Sequence, residues 1–163
     1  MPDPKLPPAG LREDVIQEDI PVVVFSLGEQ YGVPIVQVQE IVRVGHITRV
    51  PNSPPYMEGV INLRGRVLPV LNLRKRLGLP GKELTKASRV VVSEVGQKVI
   101  GLLVDSVLHV LKMPASSIEE PPEDVLEVDT DYITGVSRLQ DRLVIMLDLE
   151  RLLRREPAAQ EQQ

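Results

Sequence analysis

The side chains best suited to catalysis or metal binding are few and far apart in this chain. Among its 163 residues there are two histidines, His46 and His109, and no cysteine. The histidines do not form the HxH or HExxH spacings of common metal sites, and there is no thiolate ligand. We therefore predict an ordinary surface or rim position for each histidine, and we expect neither a metal nor another cofactor.

Two charged segments could suggest binding sites, but each has a simpler interpretation. The acidic pairs at 119–120 and 123–124 flank Pro121 and Pro122, which is typical of a solvated loop rather than a cation site. Residues 74–76, Arg-Lys-Arg, lie among leucines at helical spacing, which predicts a charged helix face that is mainly solvated. Phosphate-binding loops of the GxGxxG or GxxxxGK[ST] kind are absent. The sequence thus predicts a protein that is not an enzyme.

Composition also bears on the classes of partner. The net charge is -4, and the aromatic residues are three Tyr and one Phe, with no Trp. Nucleic-acid binding is not expected, because it needs a basic surface and often aromatic stacking. No apolar run approaches the roughly 20 residues that span a bilayer, and the N-terminus lacks a signal-type stretch. We expect a soluble protein that is not exported and makes no direct contact with a membrane.

One segment of the sequence occurs twice. Residues 56–77 and 132–153 match at an offset of 76 positions. Most matched residues are apolar, as a shared scaffold requires; the pairs are Tyr56/Tyr132, Gly59/Gly135, Val60/Val136, Leu63/Leu139, Arg66/Arg142, Leu71/Leu147, Leu73/Leu149 and Leu77/Leu153. The copies differ at a turn, where the first has Asn62, Leu63, Arg64 and Gly65 and the second has Arg-Leu-Gln-Asp. We expect function to reside where the copies differ.

The elements that must position this turn are mostly strands. Residues 22–27 with 31–35 and residues 89–95 with 98–104 each read as a hairpin around glycine, and 38–44 and 107–111 read as further strands. Each half thus supplies about five short strands, enough for a small barrel. Short helices are expected at 71–77 and 147–155. The predicted division is a tail at 1–19, barrels at about 20–80 and 88–146 joined by residues 81–88, the C-terminal helix, and a tail at 156–163.

The differing turn presents an arginine. Residues 62–66 must reverse the chain between two apolar strands, and Asn and Gly supply the conformations that this reversal needs. Arg64 is then at the tip of a rigid hairpin, where its planar head can bind a partner's carboxylate or carbonyls at small entropic cost. The alternative is an internal bond from Arg64 that braces a neighbouring loop. The turn alone does not decide between them.

Several segments in register resemble a known family. Residues 59–74, with 31–35, 38–41, 101–107 and 132–135, closely resemble the CheW family of bacterial chemotaxis coupling proteins, over about residues 20–155. The resemblance implies a mainly β fold of two SH3-like five-stranded barrels with short helices and no catalytic centre. It also implies an adaptor that couples transmembrane chemoreceptors to the regulatory domain of the histidine kinase CheA. Such an adaptor is cytoplasmic and is recruited to the inner face of the membrane through the receptors.

The resemblance further implies which residues bind the receptor. The family's receptor-contacting groove, between the barrels, corresponds here to Val38, Glu40, Gly59, Asn62, Arg64, Val107 and Val110. Three valines suit the apolar face of a helical hairpin, and Glu40 and Arg64 add orienting charge. The valines could equally be ordinary core residues. Kinase contacts are expected on the barrel surfaces, without assigned residues. The second copy lacks the Asn-Leu-Arg-Gly motif, and the Pro-rich N-terminus lies outside the family pattern.

Three alternatives remain open at this point. The chain could be an adaptor of a specialised chemosensory pathway that controls motility or development. It could be a fragment of a larger signalling protein, although Met1 and a tail at each end favour a complete chain. It could also be a ligand-binding or enzymatic double barrel, which would require a deep polar pocket with perturbed titratable groups. A histidine facing a carboxylate in such a pocket would favour this last alternative.

Overall fold

The computed structural model describes residues 19–122, 128–139 and 141–154. Nearly all of the two predicted tails lies outside the described residues, as does the acidic pair Glu123 and Asp124. Eleven strands and two short helices lie within them. The strands are β1 Asp19–Leu27, β2 Glu29–Pro34, β3 Val38–Arg43, β4 Met57–Leu63, β5 Arg66–Asn72, β6 Arg89–Val95, β7 Lys98–Val104, β8 Ser106–Pro114, β9 Ile118–Glu119, β10 Ile133–Leu139 and β11 Arg142–Leu147, and the helices are α1 Leu73–Leu77 and α2 Leu149–Leu153.

The strands form two sheets. One has six strands in the order β8-β1-β2-β11-β10-β9, and the other has five in the order β3-β6-β7-β5-β4. The prediction of a mainly β fold with two subdomains and short helices is confirmed. The predicted hairpins at 22–35 and 89–104 and the extended segments after them are also present, as β1–β2, β6–β7, β3 and β8.

The predicted division into barrels that are contiguous in sequence is wrong. The β1–β2 hairpin belongs with the C-terminal strands, because β1 pairs with β8 and β2 runs parallel to β11. The β6–β7 hairpin belongs with the first repeat, because β7 runs parallel to β5 and β6 pairs with β3. Each sheet is therefore assembled from one repeat and one hairpin of the other half of the chain, so that the two halves are interleaved.

The apolar residues form three clusters. The largest contains residues from both sheets and both helices, including Phe25, Leu71, Val91 and Leu147, and so forms a core shared by the subdomains. A smaller cluster with Val90 and Val92 belongs to the five-stranded sheet, and one with Val22 and Val24 belongs to the six-stranded sheet. We call the smaller cluster of each sheet its local core. Along β1 and β6, successive residues belong alternately to the shared core and to the local core, as expected for a strand that is buried on both faces.

The sequence repeat corresponds to a repeat in structure. Asn72 and Asp148 lie one offset apart and cap α1 and α2, accepting hydrogen bonds from backbone N–H groups three residues later. Their own backbone N–H groups donate to the carbonyls of Tyr56 (2.7 Å) and Tyr132 (2.8 Å). The matched residues are scaffold positions, as the sequence predicts.

The repeated glycine marks a close approach of a neighbouring segment in each copy. A Cβ at Gly59 would lie 2.1 Å from the carbonyl oxygen of Thr48, and its φ is +148°. A Cβ at Gly135 would lie 2.5 Å from Cγ2 of Ile118. Both glycines lie beside a register shift in their hairpin. Only a residue without a side chain leaves room for these contacts.

The prediction that residues 74–76 form a mainly solvated face is wrong for two of the three residues. The guanidinium of Arg76 lies between the rings of Tyr56 and Tyr132, 4.7 and 4.8 Å from their centroids. It donates hydrogen bonds to the carbonyl of Leu152 (2.8 Å) and the hydroxyl of Tyr132 (2.9 Å). Arg76 therefore connects α1 to the second repeat, and helical spacing in the sequence does not indicate that contact. Lys75 is the exposed member of the three.

Arg74 forms a second connection between parts of the chain. Its Nε and Nη2 donate to the two carboxylate oxygens of Asp105, at 2.9 and 2.7 Å, and its Nη1 donates to the carbonyl of Pro80 at 2.7 Å. The hydrogen bond with Asp105 raises the pKa of Arg74 above its ordinary value. Asp105 lies where the chain passes from β7 in one sheet to β8 in the other. The pair thus fixes that crossing to α1.

Candidate functional site

The hairpin between β4 and β5 has a two-residue loop, Arg64 and Gly65. Both have positive φ, 52° and 84°, which is the backbone of a type I′ turn. Asn62 is not one of the loop residues, in contrast to the expectation that it would supply a turn conformation. It is the last residue but one of β4, and its side-chain oxygen accepts a hydrogen bond from the N–H of Gly65 (2.9 Å). The motif therefore consists of a loop and the side chain that fixes it.

Arg64 forms an ion pair with Glu40 of β3. Strands β3 and β4 are the two edges of the five-stranded sheet, so this pair links the edges and helps to close the sheet on itself. The side chain of Arg64 remains 67% exposed and that of Glu40 28% exposed. The internal bond considered in the sequence analysis is thus present, and most of the arginine surface is nevertheless open to a partner.

The three valines lie on the sides of their strands that face the shared core. Val107 lies opposite Phe25, and Val110 lies opposite Val23. A β-bulge between the two valines leaves Leu108 as an extra residue without a partner in β1. A spacing of three normally places side chains on opposite faces, but the bulge restores both valines to one face. Val38 and Val107 pack against the shared core, whereas Val110 is 55% exposed at its border.

The predicted site residues do not all lie on one surface. A bulge at Gln39 separates Val38 from Glu40, so Glu40 lies opposite Val92 and faces the local core side of the sheet. Gly59 is buried beneath Thr48. Glu40 and Arg64 are therefore in direct contact through their ion pair, whereas Val38 and Val107 both pack against the shared core.

The six-stranded sheet has a corresponding contact with different chemistry. His109 occupies the place in β8 that Glu40 occupies in β3, directly after a bulge. Nη1 of Arg142, the first residue of β11, lies 3.1 Å from the Nε2 of His109. His109 is half-buried and His46 is exposed, as predicted for rim and surface histidines. His109 faces an arginine, not the carboxylate that a catalytic pocket would need.

Other candidate sites are weak in the described residues. No group of three or more His, Asp or Glu side chains is placed there to hold a metal ion. None of the helices described is long and apolar enough to cross a membrane. An open, mainly apolar depression of about 360 Å³ lies between Tyr56, Leu71 and Leu152. Lys98 is the charged residue that lines it and neither histidine does, so this depression is not the polar, histidine-containing pocket that the ligand-binding alternative requires.

The match to known proteins agrees with the fold. The family model of the CheW-like domain matches residues 21–157. The chain belongs to the CheW family. A chemotaxis protein CheW from Klebsiella aerogenes is 38% identical over 138 residues, which cover 84% of this chain and 83% of that protein. A chemotaxis protein CheW from Bacillus subtilis is 38% identical over 137 residues, covering 83% and 87%.

A solved structure extends the relationship to three dimensions. The crystal structure of the scaffolding protein TtCheW from Thermoanaerobacter tengcongensis matches with a TM-score of 0.79 at 37% identity, over 85% of this chain and 90% of that one. The CheW-family assignment thus rests on sequence and on fold, and it gives the chain a place among chemotaxis scaffold and adaptor proteins.

Proposed function

We propose that this chain is a non-enzymatic adaptor that couples transmembrane chemoreceptors to the histidine kinase CheA. Membership of the CheW family supports the adaptor class. In this role the chain acts in the cytoplasm, at the inner face of the membrane, because its receptor partner is there.

The observation that carries the proposal is the conformation of Arg64. A residue other than glycine, asparagine or aspartate in the left-handed region costs about 1–3 kcal/mol. Arg64 nevertheless adopts φ of 52° at the tip of a two-residue turn. Its pair with Glu40 is largely solvated and offsets at most about 1 kcal/mol. Retaining an arginine there is understandable if the exposed guanidinium has a binding role.

The receptor surface that we propose uses the seven residues in three ways. Val38, Val107 and Val110 form the apolar side, against which the apolar face of a helical hairpin packs. Glu40 fixes the guanidinium of Arg64, whose remaining donors bind carboxylate or carbonyl oxygens of the hairpin. Asn62 and Gly59 act indirectly: Asn62 holds the turn, and Gly59 admits Thr48 beside β4.

The kinase surface in this proposal is separate from the receptor surface. An adaptor must bind both partners at once, so the regulatory domain of CheA contacts the outer faces of the sheets. This arrangement leaves the valines and the Arg64 turn free for the receptor.

The test is calorimetric titration of a soluble chemoreceptor cytoplasmic hairpin into the full chain and its charge variants. Arg64→Glu should leave the protein folded, because the side chain is exposed, and should weaken binding at least about tenfold. The double variant Glu40→Arg with Arg64→Glu restores an ion pair of reversed polarity. It should regain stability but not affinity, because the positive charge is no longer at the tip.

Two results would contradict this role of Arg64. If the double variant regains full affinity, the pair acts only as a brace and the guanidinium does not contact the receptor. If Arg64→Glu binds as tightly as the unaltered chain, the turn is not part of the receptor surface. Circular dichroism of each variant shows that a loss of affinity is not a loss of fold.

A further inference from the structure

A cluster of positive charge lies at the end of β3, outside the predicted site. Arg43 of β3 is directly opposite Arg89 of β6, and Lys86 lies in the turn just before β6. Like charges in directly opposite positions of an antiparallel pair are destabilising. Within the described part of the chain, no carboxylate pairs with any of the three cations. Among the residues that the structure describes, no carboxylate therefore forms an ion pair that would offset the repulsion between the arginines.

Arg89 is held in a fixed orientation by neutral groups. Its Nη1 donates to the carbonyl oxygens of Lys86 and Ser88, both at 2.8 Å. These acceptors orient the guanidinium without neutralising its charge. Arg43 beside it is exposed. The result is one oriented and one free planar cation, which lowers the entropic cost of binding a carboxylate.

The cluster continues the apolar side of β3. The register of β3 with β6 places Val38, Ile41 and Arg43 on one face, because their partners Ser93, Val91 and Arg89 alternate along β6. Val91 belongs to the shared core, and Ile41 is 38% exposed at its edge. Along this face β3 thus runs from a packed valine, through a partly exposed isoleucine, to the exposed Arg43, which lies opposite the half-buried Arg89 of β6.

We propose that Arg43 and Arg89, assisted by Lys86, recognise carboxylates on the receptor hairpin that binds along β3. This inference rests on the proposed receptor role and specifies the chemistry of the partner. The hairpin carries apolar residues that face Val38 and Ile41, followed by Asp or Glu residues that reach the arginines. The carboxylates neutralise two opposed cations, and this gives the site selectivity for acidic hairpins over neutral ones.

The experiment measures the affinity of the full chain for a soluble chemoreceptor hairpin at low and at high ionic strength. Arg43→Glu should raise the Kd about tenfold at low salt, and the effect should shrink to about twofold near 0.5 M salt, where charges are screened. Lys98→Glu is the matched control, because Lys98 is also exposed and causes the same change in net charge. Lys98 begins the return strand β7, about 20 Å from Arg89 along the hairpin. It should change the Kd by less than about twofold.

A second arm alters the hairpin instead of the chain. Replacing its acidic residues by the corresponding amides should reduce the affinity of the unaltered chain and raise that of Arg43→Glu, because the amides remove an attraction in the first case and a repulsion between carboxylates in the second. Equal effects of Arg43→Glu and Lys98→Glu would overturn the inference while leaving the receptor role intact. No binding of the unaltered, folded chain to the hairpin would overturn the receptor role and the inference together.

Discussion

Replacing Arg76 with alanine should destabilise the protein strongly without removing any residue of the proposed receptor surface. The guanidinium contacts two tyrosine rings at 4.7 and 4.8 Å and donates to three acceptors, the carbonyls of Leu152 and Arg154 and the hydroxyl of Tyr132. At about 0.5–1 kcal/mol for each contact, the loss is about 3 kcal/mol. In urea this shifts the unfolding midpoint by about 1.5 M, given a denaturant slope of about 2 kcal/mol/M.

Two companion variants separate this role from general effects on α1. Lys75→Ala removes the neighbouring cation, which is 46% exposed and lies 3.3 Å from Glu58, and should cost less than about 0.5 kcal/mol. Arg76→Lys keeps the charge but loses the planar fork that lies between the rings, so it should recover only a minor part of the stability. The assay is urea unfolding followed by circular dichroism. A midpoint for Arg76→Ala equal to that of Lys75→Ala would refute the conclusion that Arg76 joins the two repeats.

Two further substitutions test other parts of the scaffold. Gly59→Ala should cost about 3 kcal/mol or more of folding stability, or prevent folding, because its Cβ would overlap the carbonyl of Thr48. Gly81 has open space around it, so Gly81→Ala should be nearly neutral. Both are measured by thermal unfolding, and similar melting temperatures for the two variants would contradict the packing at Thr48. Asp105→Asn should cost about 2 kcal/mol of folding stability, because it weakens the pair of hydrogen bonds to Arg74 at a site where the side chains of Arg74 and Asp105 are only 15% and 11% exposed. Glu94→Gln is the exposed control. If Asp105→Asn costs no more than this control, the crossing between the sheets does not depend on the pair.

Local sequence patterns predict the strands well because the information that defines them is local. Gly28 and Gly96 mark two tight turns, and the β-branched residues around them indicate strands. The pairing of β1 with β8 joins residues about 90 positions apart. Alternation of apolar residues indicates which face of a strand is buried but not which strand is its neighbour. The contiguous barrels were therefore a reasonable but wrong division.

The geometry around the candidate site residues could be predicted only in part from the sequence. The difference between the repeats identified the Arg64 turn, and the structure adds its ion pair with Glu40. The spacing of Val107 and Val110 would place them on opposite faces of a regular strand, and no sequence pattern marks the bulge that aligns them. The contacts of Arg76 with the second repeat were not predicted, because the leucines at helical spacing indicate a solvated face for the residues between them. The repeated tyrosines, Tyr56 and Tyr132, were the available signal, since both contact that arginine.

The most direct test of the adaptor role measures whether the chain recruits the kinase to receptors. Receptor-containing vesicles are sedimented with CheA in the presence and in the absence of the chain, with Arg64→Glu as the folded variant. We expect CheA to sediment with the vesicles when the unaltered chain is present, and we expect Arg64→Glu to reduce this fraction sharply. If the folded chain binds neither receptor nor kinase, or if CheA sediments equally without it, the chain shares the fold of the family but not the coupling role proposed here.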